Sequence, residues 1–420
     1  MGKGVLSRAH QHTQKYCNNM MQKIRYGLVL LLLISSPSIF ADKALEKFSS
    51  LEHAGLLMVD KLGRPVLSDH ANTAFIPAST TKLVTAWLAL KHWGEDYHFN
   101  TQFYLDKSSS TLWIKGSGDP FLVSEELQLI AKNLKKTGIQ QIKAIGLDNS
   151  LFQENIRLPG TGVSQNPYDA VPSAIAANFN TINLKKIKGH VVSAESQTPL
   201  TAYAKSFSGQ LKRNRLRINT GPDPINAENY FAELLAAFLR QQGIKVGDQI
   251  VRGQVDQQTL VYTHANSQSL AEMIRAMMKY STNFLANQLI LVLSAEVYHR
   301  PANKADVQRY MQQALSQHFH WQNFTMQDGA GLSRENRLSP SQLVDLLHAF
   351  KDWKHLLPEV EPNIYAKSGT MNGISTLAGY IVEGTHWQPF ALMMNQAVPY
   401  KFRNRIAVEL AKNQATVTRK

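Results

Sequence analysis

Strand-like runs stand near both ends of this 420-residue chain, and most of the helical texture lies between them. Near the start, Ala54-Gly-Leu-Leu-Met-Val-Asp60 reads as a strand, Lys61-Leu-Gly63 as a turn and Arg64-Pro-Val-Leu-Ser68 as the return. Near the end, residues 363–368, 376–382 and 389–394 read as strands, with turns at Asn372-Gly373 and Glu383-Gly384. This predicts one antiparallel sheet built from distant segments, its faces covered by helices: an α+β domain. Helices are expected over 226–242, with Phe231, Leu234, Leu235 and Phe238 on one face and Gly243 as the stop. Others are expected over 270–278, 284–293, from Ser339 through Phe350, and over 403–412.

Between residues 97 and 221 the texture changes. Short β-like runs alternate with turn signals at 98–105, 111–115, 139–147, 181–187 and 211–218, with one amphipathic helix over 125–136. We read 97–221 as an inserted β-rich region. It divides a discontinuous domain formed by 42–96 and 222–420.

The helix that follows the first hairpin carries chemistry. Phe75-Ile-Pro-Ala-Ser-Thr-Thr-Lys82 leads into an apolar run with helical spacing (Leu83, Ala86, Trp87, Leu90) and contains the only Ser-x-x-Lys of the chain. Residues three apart share a helix face, so the Lys82 amine can reach the Ser79 hydroxyl. A serine becomes a nucleophile when a neighbouring base takes its proton, and a lysine is such a base only when its pKa is lowered. The alternative is an ordinary helix start with a chance serine and lysine.

The ends narrow the compartment. Lys23 and Arg25 precede the apolar run Tyr26–Phe40, and Ala41 precedes the charged stretch from Asp42. Residues 1–41 therefore read as a cleavable secretory signal peptide, which implies a periplasmic protein. Cys17, the only cysteine, lies in the removed segment, which leaves no disulfide and no cysteine metal site. Five of the 45 Lys and Arg also lie there, leaving 40 against 31 acidic residues. That excess favours anionic partners outside the cytoplasm. No basic stripe with interleaved aromatics appears, which argues against nucleic acid. The basic closing helix is read as packing on the sheet, with at most weak peripheral membrane contact. His318-Phe-His320 has a spacing found in some metal sites, but no carboxylate pattern joins it, so no metal and no cofactor is expected.

Three motifs occur in order: Ser79-x-x-Lys82, Ser281-Thr-Asn283 and Lys367-Ser-Gly369 followed by Thr370. The second and third patterns are short enough to recur by chance. Ser164-Gln-Asn166 fits the second and Lys136-Thr-Gly138 the third. Context separates them. Lys136-Thr-Gly138 ends a helix, where lysine suits the dipole and glycine caps. Ser164-Gln-Asn166 lies in a proline-glycine loop. Ser281-Thr-Asn283 interrupts two apolar helices, and Lys367-Ser-Gly369 lies on a strand before a hairpin, where glycine lets a substrate backbone approach.

This ordered triple is the arrangement of penicillin-binding proteins and serine β-lactamases. Gly116-Ser-Gly-Asp-Pro120, Leu147-Asp-Asn-Ser-Leu-Phe152, residues 279–288 and Asp328-Gly-Ala-Gly-Leu-Ser-Arg-Glu-Asn-Arg-Leu-Ser-Pro340 narrow it further. The chain resembles the low-molecular-mass class C penicillin-binding proteins, D-alanyl-D-alanine carboxypeptidase/endopeptidases, over about residues 51–394. The resemblance implies a penicillin-binding/serine β-lactamase-like domain split by an insertion, and that insertion is short here for the family. It also implies roles. Ser79 attacks the carbonyl of the penultimate D-alanine, Lys82 takes its proton and Ser281 relays that proton to the leaving amine. Asn283 holds the substrate amide. Lys367, Ser368 and Thr370 bind the terminal carboxylate beside Gly369. The N–H groups of Ser79 and Thr370 form the oxyanion hole. Asp148 contacts a peptide amine or, equally, is a turn aspartate at a strand end. Peptidoglycan stem peptides would be the substrates and β-lactams the covalent inhibitors.

Two other functions compete. A serine β-lactamase would need a second base to free the acyl-enzyme quickly, and no Glu-x-x-x-Asn block or Tyr-x-Asn motif is present. A non-catalytic wall-binding protein would not need Ser79, Lys82, Ser281 and Lys367 together.

Overall fold

The computed structural model describes residues 43–417, so the expected signal segment and Cys17 lie outside the described residues. Helix α1 (Lys43–Ser49) precedes the hairpin of β1 (Ala54–Val59) and β2 (Pro65–Asp69), and a 3-10 turn (Ala78–Thr81) leads into α2 (Lys82–Trp93). Next come β3 (Asn100–Asp106), β4 (Thr111–Lys115), α3 (Ser124–Lys136) and β5 (Gln141–Asp148). They are followed by β6 (Thr181–Ile187), β7 (His190–Ser193), the short α4 (Ala202–Ser206) and β8 (Arg215–Asn219). Then α5 (Pro224–Gln241), β9 (Lys245–Arg252), β10 (Thr259–Ala265), α6 (Leu270–Tyr280), α7 (Asn283–Tyr298), α8 (Lys304–Phe319) and α9 (Pro340–Ala349) follow. Strands β11 (Glu359–Glu361), β12 (Ile364–Met371), β13 (Ile374–Glu383) and β14 (His386–Met394), with α10 (Phe402–Val417), complete the order.

The two ends meet as the patterning predicts. One six-stranded sheet runs β11-β12-β13-β14-β1-β2, with Ala54 opposite Met394 across the antiparallel β1–β14 pair. Strand β1 is buried at every position, which explains its unbroken apolar run, Ala-Gly-Leu-Leu-Met-Val. Helices α2, α6, α7 and α9 contribute Trp87, Met277, Leu289 and Leu346 to the core against this sheet. Residues 284–295 of α7 are all buried, and the sequence there has no polar stripe because the helix has no solvent face. Met273, Met277 and Met278 of α6 are buried in the same core. Among the described residues no helix is long and apolar enough to cross a membrane.

A second core holds the insertion. Its five-stranded sheet runs β10-β3-β4-β5-β9, and a three-stranded sheet, β7-β6-β8, adds Ile182, Leu184 and Ile218 to the same core. Helix α3 supplies Leu127, Ile130 and Leu134, and α5 supplies Phe231, Leu234 and Phe238. The boundary expected between residues 221 and 222 falls inside this layer: α5, β9 and β10 belong with the insertion. The reason is edge pairing, since β10 caps β3 and β9 caps β5. The β4–β5 and β5–β9 pairs are parallel. Parallel neighbours need a crossover, and α3 and α5 supply them.

Candidate active site

The 3-10 turn presents Ser79. Ala78 sits at φ +48, in the left-handed region that costs an alanine about 1–2 kcal/mol, and Ser79 follows it. The turn is held from three sides. The Thr376 hydroxyl donates to Pro77 O at 2.8 Å, and Asn395 bonds both backbone groups of Ile76 at 2.7 and 3.1 Å. Gly331 comes so near that a Cβ there would lie 1.8 Å from Ala78 O. Across Pro77–Leu90 every residue is buried except Ser79, which is half-buried and so remains open to a substrate.

Lys82, one turn on, is fully buried. Its Nζ lies 3.0 Å from Ser79 Oγ, 2.8 Å from Asn283 Oδ1 and 2.7 Å from Ala330 O. The last two atoms can only accept. A neutral amine has two protons for them and one lone pair left, and the lone pair then faces the Ser79 hydroxyl. Burial drives the Lys82 pKa well below the usual lysine range, the Lys367 charge adds to that, and Asp328 opposes it. The arrangement is that of a base poised over a serine hydroxyl.

The second motif is positioned by a helix break. Ser281 ends α6 in the left-handed conformation, φ 55 and ψ 41, and Asn283 opens α7 two residues later. Asn283 holds Lys82 through Oδ1, and its Nδ2 donates to Tyr168 O at 3.3 Å. The third motif lies on β12. Lys367 is 1% exposed, and its Nζ donates to Ser368 O at 2.7 Å. Burial, with the nearby Arg403 charge, lowers its pKa to about 7. Gly369 faces the Ser79 turn, for a Cβ there would meet Pro77 O at 2.8 Å and Ser79 N at 2.9 Å. This glycine seats the chain's own Ser79 turn against the strand. Ser368 is half-buried and Thr370 exposed.

Asp148 does not join this set. It is 2% exposed at the end of β5, and its carboxylate accepts from the N–H groups of Ser150 and Val255 at 3.0 and 2.9 Å. Those bonds tie the carboxylate into the turn at the strand end. Neither look-alike segment supplies an array. The Ser164 hydroxyl donates to Asp169 at 2.5 Å, and Lys136 donates to Asn133 at 3.1 Å beside Gly138 at φ +91. His318 packs on Trp87 and lies 2.8 Å from Lys91 Nζ. Among the described residues no group of three or more His, Cys, Asp or Glu is placed to hold a metal ion.

The sequence alone assigns Asp328–Pro340 no task. The structure gives it one. Buried Asp328 accepts from the N–H groups of Ala330, Leu332 and Ser333 and from the Asn336 amide. Asn287 takes the N–H groups of Gly329 and Ala330, both at 3.0 Å. This wheel of bonds aims Ala330 O at Lys82. Arg403, which the sequence shows only as part of a basic closing helix, brings its charge near Lys367.

A family model, D-Ala-D-Ala carboxypeptidase 3 (S13), matches residues 40–359. The chain belongs to that family. The D-alanyl-D-alanine carboxypeptidase DacB of Haemophilus influenzae is 24% identical over 385 residues, 75% of this chain and 79% of the relative. A D-alanyl-D-alanine carboxypeptidase of Actinomadura sp. is 24% identical, over 89% of this chain and 83% of the relative. The crystal structure of penicillin binding protein 4 (dacB) from Haemophilus influenzae superposes with a TM-score of 0.72 at 20% identity, over 89% of this chain and 99% of that one. The fold is thus the α+β penicillin-binding fold that the patterning and the resemblance imply.

Proposed function

We propose that this enzyme cleaves the terminal D-Ala-D-Ala bond of peptidoglycan stem peptides through an acyl-enzyme on Ser79. Family membership makes the chain a serine-type D-Ala-D-Ala carboxypeptidase. The observation that carries the mechanism is the Lys82 amine, buried and placed 3.0 Å from Ser79 Oγ. Lys82 takes the Ser79 proton as Oγ attacks the carbonyl of the penultimate D-alanine. The Ser79 and Thr370 N–H groups receive the developing oxyanion, and one such donor is worth about 3 kcal/mol in the transition state. Ser281 passes the proton to the amine of the departing D-alanine. Water then attacks the ester, giving its proton back through Lys82, and frees the acid and the Ser79 hydroxyl. Lys367 must be protonated to attract the terminal carboxylate, while Lys82 must be neutral to act as base. Their mutual repulsion favours that split.

The same site explains β-lactam binding. The lactam carbonyl imitates the scissile amide, and its ring nitrogen stays tethered after acylation. That tethered nitrogen keeps its place where the deacylating water would enter, so the ester persists. The segment from Lys23 to Ala41 supports export to the periplasm. Cleavage of D-Ala cross-links is the same bond chemistry on a larger substrate.

Mass spectrometry tests this reading. Penicillin is expected to leave one stable adduct on the Ser79 peptide, and a D-Ala-D-Ala pentapeptide to lose one D-alanine. An adduct elsewhere, or none with the pentapeptide left whole, would sink it.

A further inference from the structure

Arg403 lies in the first turn of α10, beside the third motif. Its Nη1 donates to the Gly369 carbonyl and to Thr370 Oγ1, each at 2.6 Å. A guanidinium can only donate. Thr370 Oγ1 is therefore the acceptor in that pair, and its own proton is left for another partner. Among the described residues this hydroxyl makes no second hydrogen bond, and Thr370 is exposed next to the glycine that faces Ser79. The Arg403 Nε–H is buried and has no acceptor among the described residues. A planar cation with an unspent buried donor, locked onto a hydroxyl at the cleft, fits a carboxylate better than any neutral group.

The neighbouring charge makes this placement useful. Lys367 is buried and already donates to Ser368 O. With a pKa near 7 it is only partly charged at neutral pH. An arginine stays charged there.

We propose that Arg403 is a specificity-determining residue, which turns the Thr370 hydroxyl toward the substrate's terminal carboxylate and keeps a permanent positive charge behind it. This rests on the carboxypeptidase reading above.

The test compares a D-Ala-D-Ala peptide acid with its C-terminal amide, as kcat/KM, for wild type, Arg403→Gln and Arg403→Lys. The wild type is expected to prefer the acid. Arg403→Gln is expected to lose about ten- to hundredfold on the acid, mostly in KM, and much less on the amide. Arg403→Lys, which keeps a charge without the fork, is expected to restore part of the preference. A second readout is the pH profile. Lys367 binds carboxylate only when protonated, so activity falls as pH rises through its pKa. Removing the Arg403 charge raises that pKa, and the falling limb moves to higher pH. Equal losses on acid and amide in both variants, including loss of both activities, would overturn the proposal and make Arg403 a structural residue. A wild type acylated at Ser79 that shows no acid preference would overturn it too. Absence of acylation and of turnover in the wild type would instead count against the underlying function.

Discussion

Two Ser-x-Asn segments and two Lys-[Thr/Ser]-Gly segments occur in this chain, and one of each reaches the Ser79 turn. The difference lies in where their polar atoms are spent. In Ser164-Gln-Asn166 the loop consumes them: Ser164 Oγ bonds Asp169, and Asn166 Nδ2 donates to Ser164 Oγ and to the Tyr168 hydroxyl at 2.8 and 2.7 Å. In Ser281-Thr-Asn283 the carboxamide is shared with Lys82, across 201 residues of chain. Lys136 stands exposed at the end of α3, whereas Lys367 is buried in a strand. Three letters decide little here; what matters is whether a rigid element leaves the side chains to a buried neighbour.

The largest expected effect tests the serine pair. Ser281→Ala should lower kcat on a D-Ala-D-Ala peptide by about 10²–10⁴-fold, the worth of a positioned proton-transfer group. Ser164→Ala should leave kcat within about twofold and cost roughly 1 kcal/mol of stability, one loop hydrogen bond. Steady-state kinetics and thermal melts of the two variants decide. If Ser164→Ala is the crippled one, the assignment has been made to the wrong segment.

The glycine pair sharpens the contrast on a smaller scale. A Cβ on Gly369 would collide with Thr376 Oγ1, Pro77 O and Ser79 N at 2.3, 2.8 and 2.9 Å. Gly369→Ala must push the Ser79 turn aside, and a shift approaching 1 Å costs on the order of a hundredfold in rate. Gly138 has open space around it but stands at φ +91. Gly138→Ala should therefore cost about 1–2 kcal/mol of stability and leave the rate alone. Acylation rates by stopped-flow, set beside melting curves, separate the two effects. Normal acylation in Gly369→Ala would show that the turn is not held by this contact.

The paired chain ends were legible because a buried strand needs an unbroken apolar run, and residues 54–59 and 389–394 both show one. Strands β9 and β10 were not: Lys245-Val-Gly-Asp-Gln-Ile-Val-Arg252 alternates weakly and its burial is only partial, as suits a sheet edge. Helix α8 went unread for a similar reason, since its buried residues are few beside its many polar ones. At the site, motif residues carry reactive side chains and announce themselves. Ala330 contributes only a carbonyl oxygen, and a backbone group has no residue-type signature. Asn287 and Asp328 act by holding that carbonyl in place. Arg403 sits 36 residues beyond Lys367 and joins it only through the fold.

The smallest expected effect concerns the lysine pair and stability. The folded-state pKa of Lys367, about 7, lies below the ordinary lysine value of 10.5. Below pH 7 both folded and unfolded chains carry its proton, and the folded chain bears the full cost of burying the charge. Between pH 7 and 10.5 only the unfolded chain stays protonated, so the unfolded state binds more protons and stability rises with pH. Lys82, lowered in the same direction, adds to that slope. Lys367→Met keeps the volume and removes the charge. It should raise stability at pH 7 by roughly 1–3 kcal/mol. It should also flatten the rise toward pH 10, while its activity on the acid substrate collapses. Lys136→Met should do neither, losing at most about 1 kcal/mol of helix-dipole interaction. Urea titrations at pH 7 and 9.5 read both variants. A Lys367→Met protein less stable than wild type at pH 7, with an unchanged pH slope, would mean that the buried amine is held charged by partners and adds to stability instead of drawing on it.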